Sequence, residues 1–201
     1  MRRRYEFNER EIKLFERLNT PAKVQSFVNK LAHHPNYNDQ IFYSPRKVVA
    51  ERIADCVDVS MFAAAAFRIH GERPLVMNLC ATANDVDHFI ALFMENGRWG
   101  AIGKSGFAFL EYREPIYKNL RELALSYFEG YFDRRGRKTL RGYSGQIDLS
   151  KFDRLNWMTS EEHLDSIVNG EHANMRYGLF DNKAANGFSR VSRKMHTTGI
   201  Y

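Results

Sequence analysis

The stretch HFIALFMENGRWGAIGKSG, residues 88–106, sets an Asn-Gly pair between two apolar runs. Asn-Gly is the favoured connection of a tight β-hairpin, because both turn positions need positive φ and these two residues tolerate it. With Asn96 and Gly97 as the turn, Glu95 faces Arg98, Met94 faces Trp99, Phe89 faces Lys104 and His88 faces Ser105. Side chains alternate along a strand, so His88, Ile90, Leu92 and Met94 share a face with Trp99, Ala101, Gly103 and Ser105. On this register Lys104 points to the opposite face.

Upstream of the hairpin, TANDVD is an acidic loop, and PLVMNLCA (74–81) is short, apolar and bounded by turn residues, as a buried strand is. Before it lies ADCVDVSMFAAAAFRIHG (54–71). Asp55 is a good N-cap, and Asp58 stands three residues on, as in a capping box. The spacing predicts a helix with Cys56 in its first turn. Alanines 63–66 would let sheet strands approach that helix closely, so a thiol at its start could be held against the hairpin.

The same logic places helices earlier. Residues 5–18 carry an apolar stripe of Ile12, Leu14, Phe15 and Leu18. Thr20-Pro21 and Ser44-Pro45 repeat a cap-then-proline signal. Downstream, 114–132 reads as one amphipathic helix, with Ile116, Leu120, Leu123, Ala124, Tyr127, Phe128 and Tyr131 as its stripe. A smaller helix is expected over 160–170. The last thirty residues are polar and suggest an extended or partly disordered arm.

The bulk numbers fit an ordinary globular chain. It has 201 residues, 44% hydrophobic and 27% charged, with fifteen Phe and ten Tyr for a core. No apolar run approaches the ~18 residues that span a bilayer. The start, MRRRYEFNEREIKLFERL, is basic without a following apolar stretch and reads as a cytoplasmic N-terminus, with no membrane partner. Two cysteines make no disulfide framework. The net charge of +6 gathers in Arg2–Arg4, in RRGRK (134–138) and in SRVSRK (189–194). Such clusters can hold nucleic acid, but solvated surface is the favoured reading.

Two readings of Cys56 stay open from the residues alone. A small buried thiol often only fills space. At a helix N-terminus, however, unpaired amides and the helix dipole favour the thiolate, and the same amides can hold an oxyanion. His88 opens its strand beside the acidic loop and could accept the thiol proton, with Ser105 opposite to orient the ring. Cys80, inside an apolar strand, reads as packing.

The order Cys56, Asp58, Ala64, Arg68, Gly71, Pro74, His88, Trp99 resembles the core of the transglutaminase-like (papain-like cysteine peptidase) superfamily, over roughly residues 40–110. The resemblance implies an α+β fold with the Cys-bearing helix on a small antiparallel sheet. It implies Cys56 as nucleophile and His88 as general base and acid. It also implies catalysis at an amide, isopeptide or related acyl bond of a protein or peptide-like substrate, without metal or cofactor. Trp99, Tyr43 and Gln40 become candidate substrate contacts, Tyr43 or Gln40 as a second oxyanion donor. The family's aspartate is replaced by Lys104-Ser105. The site is then a triad through Ser105, a triad completed by Asp85, Asp87 or Glu111, a dyad, or a relic that serves as a binding module for a protein or nucleic acid. Around the core, 1–39 is expected as N-terminal helices, and 111–201 as a helical extension with a polar tail that belongs to the same domain.

Overall fold

The computed structural model describes residues 6–35, 42–162 and 164–199. Among these residues, four helices precede the sheet: α1 (Glu9–Arg17), α2 (Pro21–Val28), α3 (Pro45–Glu51) and α4 (Cys56–Ile69). Their starts are locally encoded. Asn8 and Glu11 form a reciprocal capping box on α1, while Thr20 and Ser44 accept the amides of Lys23 and Lys47. Pro21 and Pro45 occupy first-turn positions, where a missing N–H costs nothing. Asp55 and Asp58 form the expected capping box on α4, so Cys56 is its first residue. Ala63 to Ala66 are wholly buried.

Among the described residues, seven strands form one sheet, and every strand pairing is antiparallel. They are β1 (Leu75–Cys80), β2 (His88–Glu95), β3 (Arg98–Ile102), β4 (Arg113–Tyr117), β5 (Gly142–Tyr143), β6 (Ile147–Asp148) and β7 (Tyr177–Gly178). The spatial order is β4-β3-β2-β1-β5-β7, with β6 also on β1. The fold class is α+β, with a Cys-bearing helix packed against an antiparallel sheet.

The β2–β3 hairpin turns as its sequence requires, with φ of 49° at Asn96 and 71° at Gly97. Its ladder runs from Glu95–Arg98 through Met94–Trp99 to Ala91–Ile102 and stops there. The expected pairs Phe89–Lys104 and His88–Ser105 do not form. Beyond Ile102 the chain leaves the sheet and crosses His88. Gly103 permits this: a Cβ there would stand 2.8 Å from the Leu110 carbonyl oxygen and 3.1 Å from His88 Nε2.

Alternation along β2 divides the core. Phe89, Ala91 and Phe93 join α4, α1 and α2 in one apolar cluster. Ile90 and Leu92 join Ala101, Leu123, Tyr127 and Leu140 in another, on the far face. His88 belongs to that far side, its ring 6.5 Å from the Tyr127 ring. Phe7, Phe15 and Trp157 lie in the first cluster too, so residues before 40 and after 110 share one core with α4.

Three expectations from the sequence are corrected. The segment 114–132 is not one helix but strand β4, helix α5 (Leu120–Leu125) and a 3-10 turn at Phe128–Gly130. Strand β3 needs an edge partner, and an edge strand tolerates Pro115. Asn119 then caps α5 by accepting the Glu122 amide. Leu123, Ala124, Tyr127 and Tyr131 do face the core, whereas Ile116 is exposed. The helix expected over 160–170 is only α6 (Asp165–Val168). The C-terminal segment is not a free arm, since β7 pairs with β5 and Leu179 is buried, with α7 (Asn182–Asn186) and α8 (Arg193–Gly199) beyond.

Candidate active site

Where the β2–β3 ladder ends, a half-open cleft of about 340 Å³ forms. Cys56 and His88 both line it, with His33, Asp55, Lys104 and Ser105. The two faces of the sheet meet here: Cys56 reaches the cleft from the α4 side, His88 from the far side. Among the described residues no hydrogen bond joins the Cys56 sulfur to the His88 ring.

Cys56 occupies the position expected of it but not the protonation state. The amides of Phe89 and Val57 point at the sulfur and favour the thiolate. Burial opposes them and dominates, and the Asp55 and Asp58 carboxylates add to it, so the thiol is pushed up to about 12. The residues that cap the helix also cancel the positive end of its dipole. The expectation of a thiolate from helix position alone is therefore corrected for the resting site.

His88 is 4% exposed. Its Nε2 lies 2.8 Å from the Leu110 carbonyl oxygen and donates to it, which leaves the lone pair on Nδ1. Burial is the largest influence on the ring and pulls it down to about 4; the Arg113 guanidinium adds to this, and the Leu110 bond works against it. The Leu110 carbonyl is itself held in place. It ends a 3-10 turn, Ala108–Leu110. Arg113 donates to Phe109 O at 2.6 Å and stacks over the Tyr127 ring at 3.9 Å. Tyr127 in turn donates its hydroxyl to Glu111 O.

Ser105 is not the group that orients the ring. Its hydroxyl oxygen accepts the Phe107 amide at 3.1 Å and closes a local turn, because the ladder that would bring it opposite His88 has already ended. Lys104 does not point away either; it borders the same cleft. Asp85 accepts from Thr139 and Val86, and Asp87 from Asn78 and Ala81; neither bonds to the ring. Trp99 lies at the turn end of the hairpin and lines a separate cavity of about 390 Å³ with Phe93 and Met94, away from Cys56. Tyr43 does not border the cleft; its amide donates to Asp58 at 2.7 Å. Gln40 lies outside the described residues.

Two His–Asp pairs stand beside Cys56 that no local sequence pattern announces. His33 Nδ1 stands 2.6 Å from Asp55 Oδ1, and His34 Nε2 stands 2.9 Å from Asp58 Oδ2. The hydrogen bond to Asp58 raises the His34 pKa above the ordinary histidine value, against the opposing effect of burial. The only local clue was the three-residue spacing of Asp55 and Asp58 around Cys56. Cys80 is buried, with its sulfur near Asn78 and Ala173 carbonyls, as packing requires.

The basic cluster at 134–138 is partly neutralised, since Arg137 pairs with Asp133 and Lys138 with Glu129. Arg2–Arg4 lie outside the described residues. Among the described residues, no group of three or more His, Cys, Asp or Glu side chains could hold a metal ion, and no helix is long and apolar enough to cross a membrane. Comparison of the chain with protein-family models finds no match, and comparison with curated proteins finds none either.

Proposed function

We propose that the protein is a transglutaminase-like thiol enzyme that transfers or hydrolyses an acyl group at an amide, isopeptide or related bond. The observation that carries this reading is the opening of Cys56 and a tautomer-fixed His88 onto one cleft. Cys56 is the nucleophile. His88, with Nε2–H committed to Leu110, has only Nδ1 available as a base. With the thiol held near 12 and the imidazole near 4, the resting pair is neutral. The sulfur proton therefore leaves as the S–C bond forms, and it reaches Nδ1 through the reacting group or one water. The amide of Cys56, in the first helical turn, holds the oxyanion in this reading. The proton returns to the leaving amine or alcohol as the thioester forms. Water or a second amine then takes the acyl group.

A non-catalytic binding module of the same fold is the second reading, and the missing bond between sulfur and ring favours it. Acylation separates the two. Native protein incubated with p-nitrophenyl acetate should acquire an acetyl thioester at Cys56, located by peptide mass mapping. Cys56→Ala should abolish the adduct. A binding module would give no adduct at Cys56 with any variant.

A further inference from the structure

Lys104 is the one lysine or arginine that is buried among the described residues, at 7% exposure. It lines the cleft, yet its ammonium makes no hydrogen bond or ion pair with any described residue. Chains rarely bury an unpaired cation, because desolvation is costly without a partner. Desolvation is the largest influence on the Lys104 pKa and pulls it down, while Asp55 and Glu111 act in the other direction without reaching ion-pair distance. Those two carboxylates bracket the site: Asp55 precedes Cys56, and Glu111 follows the Leu110 carbonyl that holds His88.

The carboxylates of the cleft are already engaged. Asp55 bonds His33, Asp85 bonds Thr139 and the Val86 amide, and Asp87 bonds Asn78 and the Ala81 amide. Arg134, at the same cleft, has no ion pair with any described residue either, unlike Arg137 and Lys138 in the same cluster. The resting cleft thus holds, in the same cavity as Cys56, a buried ammonium that no described carboxylate pairs directly.

We infer that Lys104 anchors a carboxylate of the substrate, so that the acyl group passed to Cys56 is an acidic one. This rests on Cys56 as the nucleophile. A singly charged carboxylate fits better than a phosphate dianion, because Asp55, Asp85 and Asp87 all face the cleft and repel added negative charge. The cavity is small for a binding site, which suits a short acidic group rather than a polyanion.

Iodoacetate and iodoacetamide test this directly. They differ by a carboxylate against an amide and attack the same thiolate, so the high thiol pKa cancels in the ratio of their rates. Each is reacted with the native protein near neutral pH, and the rates at Cys56 are compared with those at glutathione. The iodoacetate-to-iodoacetamide ratio at Cys56 should exceed that at glutathione by about tenfold, as a charge-assisted contact provides. Lys104→Met should abolish the excess, and Lys104→Arg should retain most of it. A wild-type ratio equal to that of glutathione overturns the inference, as does an excess that survives Lys104→Met. If Cys56 takes up neither reagent while the unfolded chain takes up both, the nucleophile itself is lost and the anchor with it.

Discussion

The two ends of the β2–β3 hairpin carry opposite kinds of structure. At the turn end, Glu95–Arg98 and Met94–Trp99 pair as the Asn-Gly turn dictates, and the cavity there is bordered by Trp99, Phe93 and Met94. At the other end the ladder stops at Ala91–Ile102, and the chain that should have continued it turns across His88. Buried backbone groups beyond a ladder take other partners. The Leu110 carbonyl accepts from the His88 ring, and the Phe89 amide, past the end of the β3 pairing, favours the Cys56 thiolate. The candidate site therefore lies where the regular pattern fails, and packing where it holds.

The largest contrast should be in acylation. His88→Ala should slow formation of the Cys56 adduct by about 10²–10⁴-fold, the usual contribution of a general base. Trp99→Ala, at the other end of the hairpin, should leave the rate within a factor of two or so of wild type. Stopped-flow release of p-nitrophenolate measures both. Equal rates for wild type and His88→Ala would remove His88 from the chemistry.

A second contrast is in pH-dependent stability. The folded His88 pKa of about 4 lies below its ordinary value of 6.5. A group depressed in this way supports folding above the unfolded pKa. That support fades as pH falls from about 6.5 toward 4, where the unfolded state takes up the proton first. The full loss is about 3 kcal/mol, from ~1.4 kcal/mol per pKa unit. Urea unfolding across this range should show it in wild type and much less of it in His88→Gln. Parallel curves would mean that the buried ring does not govern acid stability.

Two glycines sharpen the comparison further. Gly103→Ala would press a methyl group on the Leu110 carbonyl and the His88 ring, whereas Gly100→Ala would press one on the Phe93 ring and the Arg113 carbonyl. Both should destabilise by about 1–3 kcal/mol, the usual cost of overpacking. Only Gly103→Ala should also slow acylation of the protein that remains folded. The idea that Leu110 positions the ring fails if the two variants acylate alike.

The smallest effects are expected at His33 and Ser105. His33→Ala should change acylation less than about tenfold, as loss of a nearby polar group does. A drop matching that of His88→Ala would move the base to the His33–Asp55 pair. Ser105→Asp should leave the pH profile of Cys56 alkylation unshifted, because the Ser105 hydroxyl serves the Phe107 amide rather than the ring. A shift toward lower pH would mean that residue 105 does reach His88.

What could be read from the sequence was what local chemistry decides. Thr20-Pro21, Ser44-Pro45 and Asp55 with Asp58 mark helix starts because a cap needs only its next three residues. Asn96-Gly97 marks a turn because φ is a property of the residue itself. Strand β4 was hidden, since Arg113–Tyr117 becomes a strand only through the open edge of β3. The His33–Asp55 and His34–Asp58 pairs join residues more than twenty positions apart, with no local pattern to announce them. The state of the Cys56 thiol is not legible locally, because burial depends on what covers the helix end. Ser105 faces His88 only in a ladder that continues past Gly103, where the real one breaks.

The partner of the His88 ring is a main-chain carbonyl, and this changes how the site can be lost. An aspartate in that place could be deleted by one altered codon. The carbonyl of residue 110 exists whatever side chain that codon specifies, so substitution there cannot remove the acceptor; it can only move it. The acceptor on the His88 ring is therefore secured by the path of the backbone, through Gly103, Arg113 and Tyr127, and its points of mutational failure lie at those residues instead of at residue 110.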